Sequence, residues 1–221
     1  SSFSITQPTS LSITQTITSD VKCKFGNDGT ASVNVTGGTP PYSYLWSDGQ
    51  TTRTAIGLIA GTYSCLVTDA NGCTISDSLN ISEPSSELIV IKKAYNTTCF
   101  GNNNGSASLD VSGGLQPYLI VWDNGQRTDS IIGLSQGTYN YTVTDNNGCV
   151  ISASVLINQP DPINNNVTFT NVTCFNKSNG TAASSPTGGT PPYSFLWNTS
   201  NASTLQSITN LNVGNYQLTV S

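Results

Sequence analysis

The sequence has no histidine and no methionine, and only 9% of its residues are charged. Each scarcity excludes something. Without histidine there is no Ser-His-Asp triad, no Cys-His dyad and no ordinary zinc ligand set. No catalytic residue, metal site or cofactor-binding site is predicted, and the chain reads as a non-enzyme. The seven Lys and Arg residues are scattered and the net charge is −5, with a pI near 4.3. That leaves no basic face for nucleic acid and no polybasic patch for a membrane surface. The longest strongly apolar run, Leu88-Ile89-Val90-Ile91, falls far short of a membrane span, so membrane insertion is not expected. Ser, Thr, Asn and Gly fill much of the remainder, a composition that suits short strands joined by polar turns better than helices.

What is present is a repeat. Gly37-Gly38-Thr39-Pro40-Pro41-Tyr42 returns as Gly113-Gly114-Leu115-Gln116-Pro117-Tyr118 and as Gly188-Gly189-Thr190-Pro191-Pro192-Tyr193. Trp46, Trp122 and Trp197 follow at spacings of 76 and 75, which Cys23, Cys99 and Cys174 share. Gly61-Thr62-Tyr63 matches Gly137-Thr138-Tyr139 and, more loosely, Gly214-Asn215-Tyr216. Thr68-Asp69-Ala70-Asn71-Gly72-Cys73 matches Thr144-Asp145-Asn146-Asn147-Gly148-Cys149. The expected division is 1–8, the end of a preceding repeat; 9–84 and 85–160, two full repeats; and 161–221, a third cut before its last turn and strand. Both ends then fall inside repeats, and the native protein is expected to extend beyond them.

Within the first repeat, Ser10 to Ile17, Thr30 to Val35 and Tyr63 to Val67 alternate apolar and polar residues, the period of half-buried strands. Asp48-Gly49 and Asn71-Gly72 mark tight turns. Thr52 to Leu58 and Thr74 to Ile81 read as further strands. Tyr42, Tyr44 and Trp46 share one strand face and read as core rather than as an aromatic platform for sugar. The predicted fold is all-β: tandem small immunoglobulin-like β-sandwiches of about 75 residues, with six or seven strands each. An inward Trp on the third strand supports this, as does a tyrosine corner at Leu58 and Gly61-Thr62-Tyr63.

These motifs together, from Gly-Gly-Thr-Pro-Pro-Tyr through Trp-Ser-Asp-Gly-Gln to Val-Thr-Asp-Ala-Asn-Gly-Cys, resemble the SprB-type repeat of bacterial gliding-motility and cell-surface adhesins. The pattern is also similar to polycystic-kidney-disease-type (PKD) and fibronectin-type modules. The third repeat departs from it at Asn198-Thr199-Ser200, where the others carry Asp-Gly or Asn-Gly. The resemblance implies export by the type IX pathway and an extracellular position on the bacterial cell surface.

Cys23, Cys73, Cys99, Cys149 and Cys174 are read as disulfide cysteines, the usual fate of such residues outside the cell. Two schemes stay open. Cys23–Cys73 and Cys99–Cys149 would pair within repeats. Alternatively, if the strands alternate so that Cys23 and Cys73 lie at opposite poles, Cys23 would meet Cys149 across a junction. Cys65, matched by Tyr141 and Leu218, reads as a buried apolar position. Asp28, Asp48 and Asp69 sit in turns; Ca²⁺ is open as their ligand, although no EF-hand spacing is present. Ser78 in Asp77-Ser78-Leu79 and Ser130 in Asp129-Ser130-Ile131 resemble a bacterial O-glycosylation acceptor.

The functional expectation is a structural spacer in the stalk of a long secreted adhesin, serving gliding motility or surface attachment. Neighbouring repeats of the same chain are the expected partners, with lateral self-association into filaments as a further role. Two readings stand beside it: a module binding a partner protein, surface glycan or polysaccharide, and spacer repeats of a large secreted hydrolase.

Overall fold

The structure, a computed structural model, describes residues 2–221, apart from the side chains of Thr14, Gln15 and Ile17. Ser1 of the expected segment 1–8 lies outside the described residues, as does part of the alternation expected over Ser10 to Ile17. Strands, and no helices, form the secondary structure of the described residues.

The first repeat supplies β1 (Ser12–Ser19), β2 (Gly29–Thr36), β3 (Ser43–Trp46), β4 (Thr54–Leu58), β5 (Gly61–Thr68) and β6 (Thr74–Ile81). They form two antiparallel sheets, β1-β2-β4 and β3-β5-β6. The chain changes sheet between β2 and β3, β3 and β4, and β4 and β5, the Greek-key habit of immunoglobulin-like sandwiches. Side-chain alternation decides which residues meet between the sheets. Ala31 and Val33 of β2 face Trp46 of β3 and Cys65 and Val67 of β5, and all five are buried. Tyr42 and Tyr44 pack half-buried against this cluster. Burying one large apolar side chain of this kind contributes roughly 1.5–3 kcal/mol. The Trp46 indole N–H is not stranded by burial, because it donates to the Thr52 carbonyl at 2.8 Å.

The second repeat repeats the plan with β7 (Ile89–Tyr95), β8 (Gly105–Ser112), β9 (Leu119–Trp122), β10 (Ser130–Leu134), β11 (Gly137–Thr144) and β12 (Val150–Ile157). Its sheets run β10-β8-β7 and β12-β11-β9. The third repeat has β13 (Val167–Thr170), β14 (Gly180–Ser184), β15 (Phe195–Trp197), β16 (Ser207–Leu211) and β17 (Leu218–Val220). One of its sheets is three-stranded, β13-β14-β16, and the other, β15-β17, is two-stranded. Ala182, Trp197 and Ile208 form its buried cluster. The chain divides into two compact units, one comprising the residues up to Ile91 with Asp110–Trp122 and Tyr141–Ala153, the other Lys92–Leu109, Asp123–Asn140 and Ser154–Ser221.

Two tyrosines per repeat lock the crossovers. The hydroxyls of Tyr63, Tyr139 and Tyr216 each donate at 3.1 Å to the carbonyl four residues upstream, on Ile59, Ser135 and Asn212. This is the tyrosine corner. At the other crossover Tyr42 and Tyr118 donate to the Gly37 and Gly113 carbonyls at 2.6 Å, and Tyr193 donates to that of Gly188. Each of these tyrosines follows a cis X-Pro bond, at Pro40-Pro41, Gln116-Pro117 and Pro191-Pro192. Gly37 is obligatory for two reasons. Its φ is 70°, and a Cβ there would stand 1.9 Å from the Ser10 carbonyl oxygen.

Candidate functional site

Within the first unit, the chemistry-bearing feature is a covalent one. Cys23 and Cys149 are bonded, with Cα atoms 5.6 Å apart and a sequence separation of 126. The bridge joins the β1–β2 loop of the first repeat to the last turn of the second. Pairing of Cys23 with Cys73 within one repeat is therefore not the arrangement adopted. A cavity of about 190 Å³ beside the bridge is lined by Lys24, Pro84, Leu88, Asp145 and Ile151, among others.

Each half of the bridge is built by local bonding. On the Cys23 side the Gly26 N–H donates to the Cys23 carbonyl at 2.9 Å, and the Lys22 N–H to Asp28 Oδ1 at 3.1 Å. Phe25 lies in the left-handed region at φ 61°, a rare place for a bulky residue. Its N–H donates to Glu83 Oε2 at 2.7 Å, while Lys24 Nζ pairs with Glu83 Oε1 at 2.6 Å. The Lys24 ammonium and the Phe25 N–H together hold the Glu83 carboxyl below its ordinary pKa.

On the Cys149 side one carboxylate organises the turn. Asp145 Oδ1 accepts the N–H groups of Asn147 and Cys149, both at 2.9 Å, and Oδ2 accepts that of Leu115 at 3.0 Å. Burial pushes the Asp145 pKa up, but the backbone donors outweigh it and the net direction is down. Asp69 does the same for Cys73, accepting from Thr39 at 2.9 Å, Asn71 at 2.9 Å and Cys73 at 2.8 Å. Its pKa is lowered, chiefly by the Thr39 N–H.

The remaining expected cysteines sit in equivalent loops. Asn104 Oδ1 accepts the Thr98 N–H at 3.1 Å beside Cys99, and Asn179 Oδ1 the Thr173 N–H at 3.0 Å beside Cys174. Gly101 and Asn176 take the left-handed conformation that Phe25 takes beside Cys23. Cys73, Cys99 and Cys174 are exposed thiols. Cys65 is different: it is fully buried in the first core, and burial raises its pKa, so it is a poor nucleophile.

The turn carboxylates are committed to the backbone. Asp28 serves Lys22, Asp48 accepts from the Gln50 N–H at 3.1 Å and its side-chain amide at 2.7 Å, and Asp69 holds three N–H groups. Among the described residues no three Cys, Asp or Glu side chains gather as a metal site. No helix of the described residues is long and apolar enough to cross a membrane.

The family model described as "SprB repeat" matches the chain at residues 15–51, 94–127 and 166–202. The chain carries SprB repeats. Each matched segment of this SprB array runs from the first strand of a repeat past its tryptophan, taking in Cys23, Cys99 or Cys174. No curated protein matches the SprB array. Solved structures that do match include the N-terminal eight Ig domains of Down Syndrome Cell Adhesion Molecule, at 14% identity and TM-score 0.43, covering 93% of this chain and 36% of that one. A tetra-tandem repeat from the extending region of a large adhesion protein matches at 13% identity and TM-score 0.22, covering 95% and 64%. The central fibronectin-III array of RIM-binding protein matches at 14% identity and TM-score 0.22, covering 96% and 84%. TM-scores this low add nothing to the fold already read from the SprB strands.

The expected glycosylation serines of the SprB array are both exposed. Ser78 lies on β6, an edge strand, and its N–H donates to Asp77 Oδ1 at 2.8 Å. Ser130 opens β10, and its hydroxyl donates to Asp129 Oδ1 at 3.1 Å. Sequence reasoning missed that Asp69 and Asp145 reach the Gly-Gly segment as well as their own turns. The signal was there: Thr39 to Asp69 and Leu115 to Asp145 are both spaced by 30 residues.

Proposed function

We propose that this chain is a stretch of the spacer region of a bacterial cell-surface adhesin, in which covalent staples between consecutive repeats carry tension. The Cys23–Cys149 bridge is the observation that carries the reading, because it ties one repeat to its successor rather than closing a repeat on itself. Cys73, Cys99 and Cys174 belong to the same scheme. Cys73 sits in the same Asp-capped turn as Cys149, and Cys99 and Cys174 in the same loop as Cys23. Each would pair with an adjoining repeat, giving every repeat one staple toward each neighbour.

Disulfides of this kind need an oxidising compartment, which supports an extracellular position. Type IX export, a part in gliding or surface attachment, and O-glycosylation at Ser78 and Ser130 follow from the family resemblance and complete the proposal. Non-reducing peptide mapping of the protein recovered from its own cell surface tests it. The expected product is a peptide pair joining Cys23 to Cys149; a Cys23–Cys73 pair, or free Cys23 and Cys149, would overturn the stapling of repeats.

A further inference from the structure

The strand β4 and its counterparts β10 and β16 are edges of their sheets. In an antiparallel ladder alternate residues turn their N–H and C=O toward the neighbouring strand, and the rest turn them outward. The Val33 N–H bonds the Arg53 carbonyl, so Thr54 and Ile56 of β4 face out. Three of their outward groups are capped by side chains. The Thr52 hydroxyl donates to the Thr54 carbonyl at 2.6 Å. The Gln50 amide donates to the Ile56 carbonyl at 3.0 Å and accepts the Ile56 N–H at 3.1 Å. In the second repeat the Thr128 hydroxyl caps the Ser130 carbonyl at 2.6 Å. A charge also stands at the head of each strand, Arg53 before β4 and Asp129 before β10. Caps and charges of this kind keep a sheet edge from pairing with another chain.

The third repeat keeps the strand and loses the guards. The Trp197 N–H reaches the Ser203 carbonyl and its indole N–H the Leu205 carbonyl, where Trp46 reaches Gln50 and Thr52. Serine thus stands for the glutamine and leucine for the threonine. The Ser203 hydroxyl accepts the Leu205 N–H at 3.4 Å, and the Leu205 side chain, 66% exposed, has nothing to donate. Uncharged Gln206 holds the place of Arg53 and Asp129. The Ser184 N–H bonds the Gln206 carbonyl and Ala182 lies opposite Ile208, so Ser207 and Thr209 face out. Among the described residues no side chain caps their N–H and C=O groups. A cavity of about 700 Å³ lies against them, lined by Asn198, Ser203, Leu205, Ser207, Thr209 and Tyr216 among others. The sheet β13-β14-β16 matches β1-β2-β4 strand for strand, so this opening follows from the side chains that differ.

We infer that β16 is an interface at which two copies of this chain join edge to edge, antiparallel. About a two-fold axis at Ile208, Ser207 of each copy stands opposite Thr209 of the other. Each such pair exchanges two main-chain bonds, four in all, and two three-stranded sheets become one of six. Asn210, at φ 58°, bends the strand just beyond and limits the ladder to these residues. The occupant is a second copy because the edge is self-complementary and because charge permits the approach. The two charges of the third repeat, Asp161 and Lys177, cancel. The first repeat carries three cations against six carboxylates, and the second three against five. Like edges of those repeats would meet with net repulsion, and those of the third would not. An isologous contact closes at two copies. The inference joins arrays side by side and stands independently of the staples.

The test uses the full chain with Cys73→Ser, Cys99→Ser and Cys174→Ser, which prevents crosslinking through exposed thiols and leaves the Cys23–Cys149 bridge intact. Light scattering across a concentration series is expected to climb from 23.2 kDa to twice that mass and stop there. Thr209→Pro removes one outward donor per copy, two of the four bonds, and should raise the dissociation constant roughly tenfold. Ser203→Gln with Leu205→Thr restores the caps, touches no core residue and should return the mass to that of one copy. This second variant decides the matter if the proline disturbs folding. A mass fixed at 23.2 kDa up to about 1 mM, growth past two copies, or a dimer that the restored caps leave unmoved overturns the inference.

Discussion

Pulling the chain by its two ends should give two different lengths, depending on redox state. The bridged cysteines are separated by 126 positions in sequence, and an extended chain spans about 3.3–3.6 Å per residue. Oxidised protein therefore withholds a contour of roughly 420–450 Å, however completely the sandwiches unfold. Of 221 residues less those 126, 95 remain free to extend, roughly 310–340 Å. Single-molecule force spectroscopy between terminal handles, first without and then with reductant, reads this directly. Reduction should release the hidden length in addition to the sandwich unfolding events. Bridges within repeats would instead hide two separate segments of 50 residues, each worth roughly 165–180 Å. That pattern, or equal contour lengths in both redox states, would refute the reasoning. Closing so long a loop also removes about 5 kcal/mol of chain entropy from the unfolded state in the usual loop model, so reduction should lower the unfolding midpoint as well.

Other perturbations test the fold that presents the cysteines. Trp46→Ala should cost about 3–5 kcal/mol in urea denaturation, the range for emptying a buried aromatic site. Gly37→Ala should cost more than about 2 kcal/mol, because the left-handed backbone penalty adds to a clash with the Ser10 carbonyl. Gly49→Ala, at φ 91° with open space around it, should cost only the backbone share, about 1–2 kcal/mol, and serves as the control. Asp69 and Asp145 have depressed pKa values, so their contribution is complete above the ordinary carboxylate value of 3.8 and is lost as pH falls through the lowered one. Urea midpoints should therefore hold steady from pH 7 to about 5 and fall below about pH 4, with Asp145→Asn flattening the fall.

The core was legible in the sequence because its signals are local. Alternation along β2 and β5 places Ala31, Val33, Cys65 and Val67 inward whatever the neighbouring strands do, and the corner tyrosines bond only four residues upstream. Six strands, at the lower end of the expected six or seven, form each of the first two repeats. The third repeat's departure at Asn198-Thr199-Ser200 is a longer turn: Trp197 N–H reaches Ser203, where Trp46 N–H reaches Gln50. The sequence carried that too, since Trp197 to Gly214 is two residues longer than Trp46 to Gly61. The disulfide partner was not legible. Cys23 to Cys73 and Cys99 to Cys149 have equal spacing, which fits either scheme, and only the placement of loop and turn in space distinguishes them. The carboxylate bonds from Asp69 to Thr39 escaped notice for a related reason: they join two turns that are distant in sequence.

A bridge that spans so much sequence also changes what a broken peptide bond means. Surface proteins meet proteases, and polar loop tips are where nicks concentrate. The loop Asn102-Asn103-Asn104 is an exposed tip of this kind, and it falls between Cys23 and Cys149. A single cut there, or at any loop inside that interval, leaves the fragment bearing residue 23 covalently fastened to the fragment bearing residue 149. Whatever stands beyond is not shed. The array can thus accumulate damage across most of two repeats while keeping an unbroken covalent thread from one end to the other.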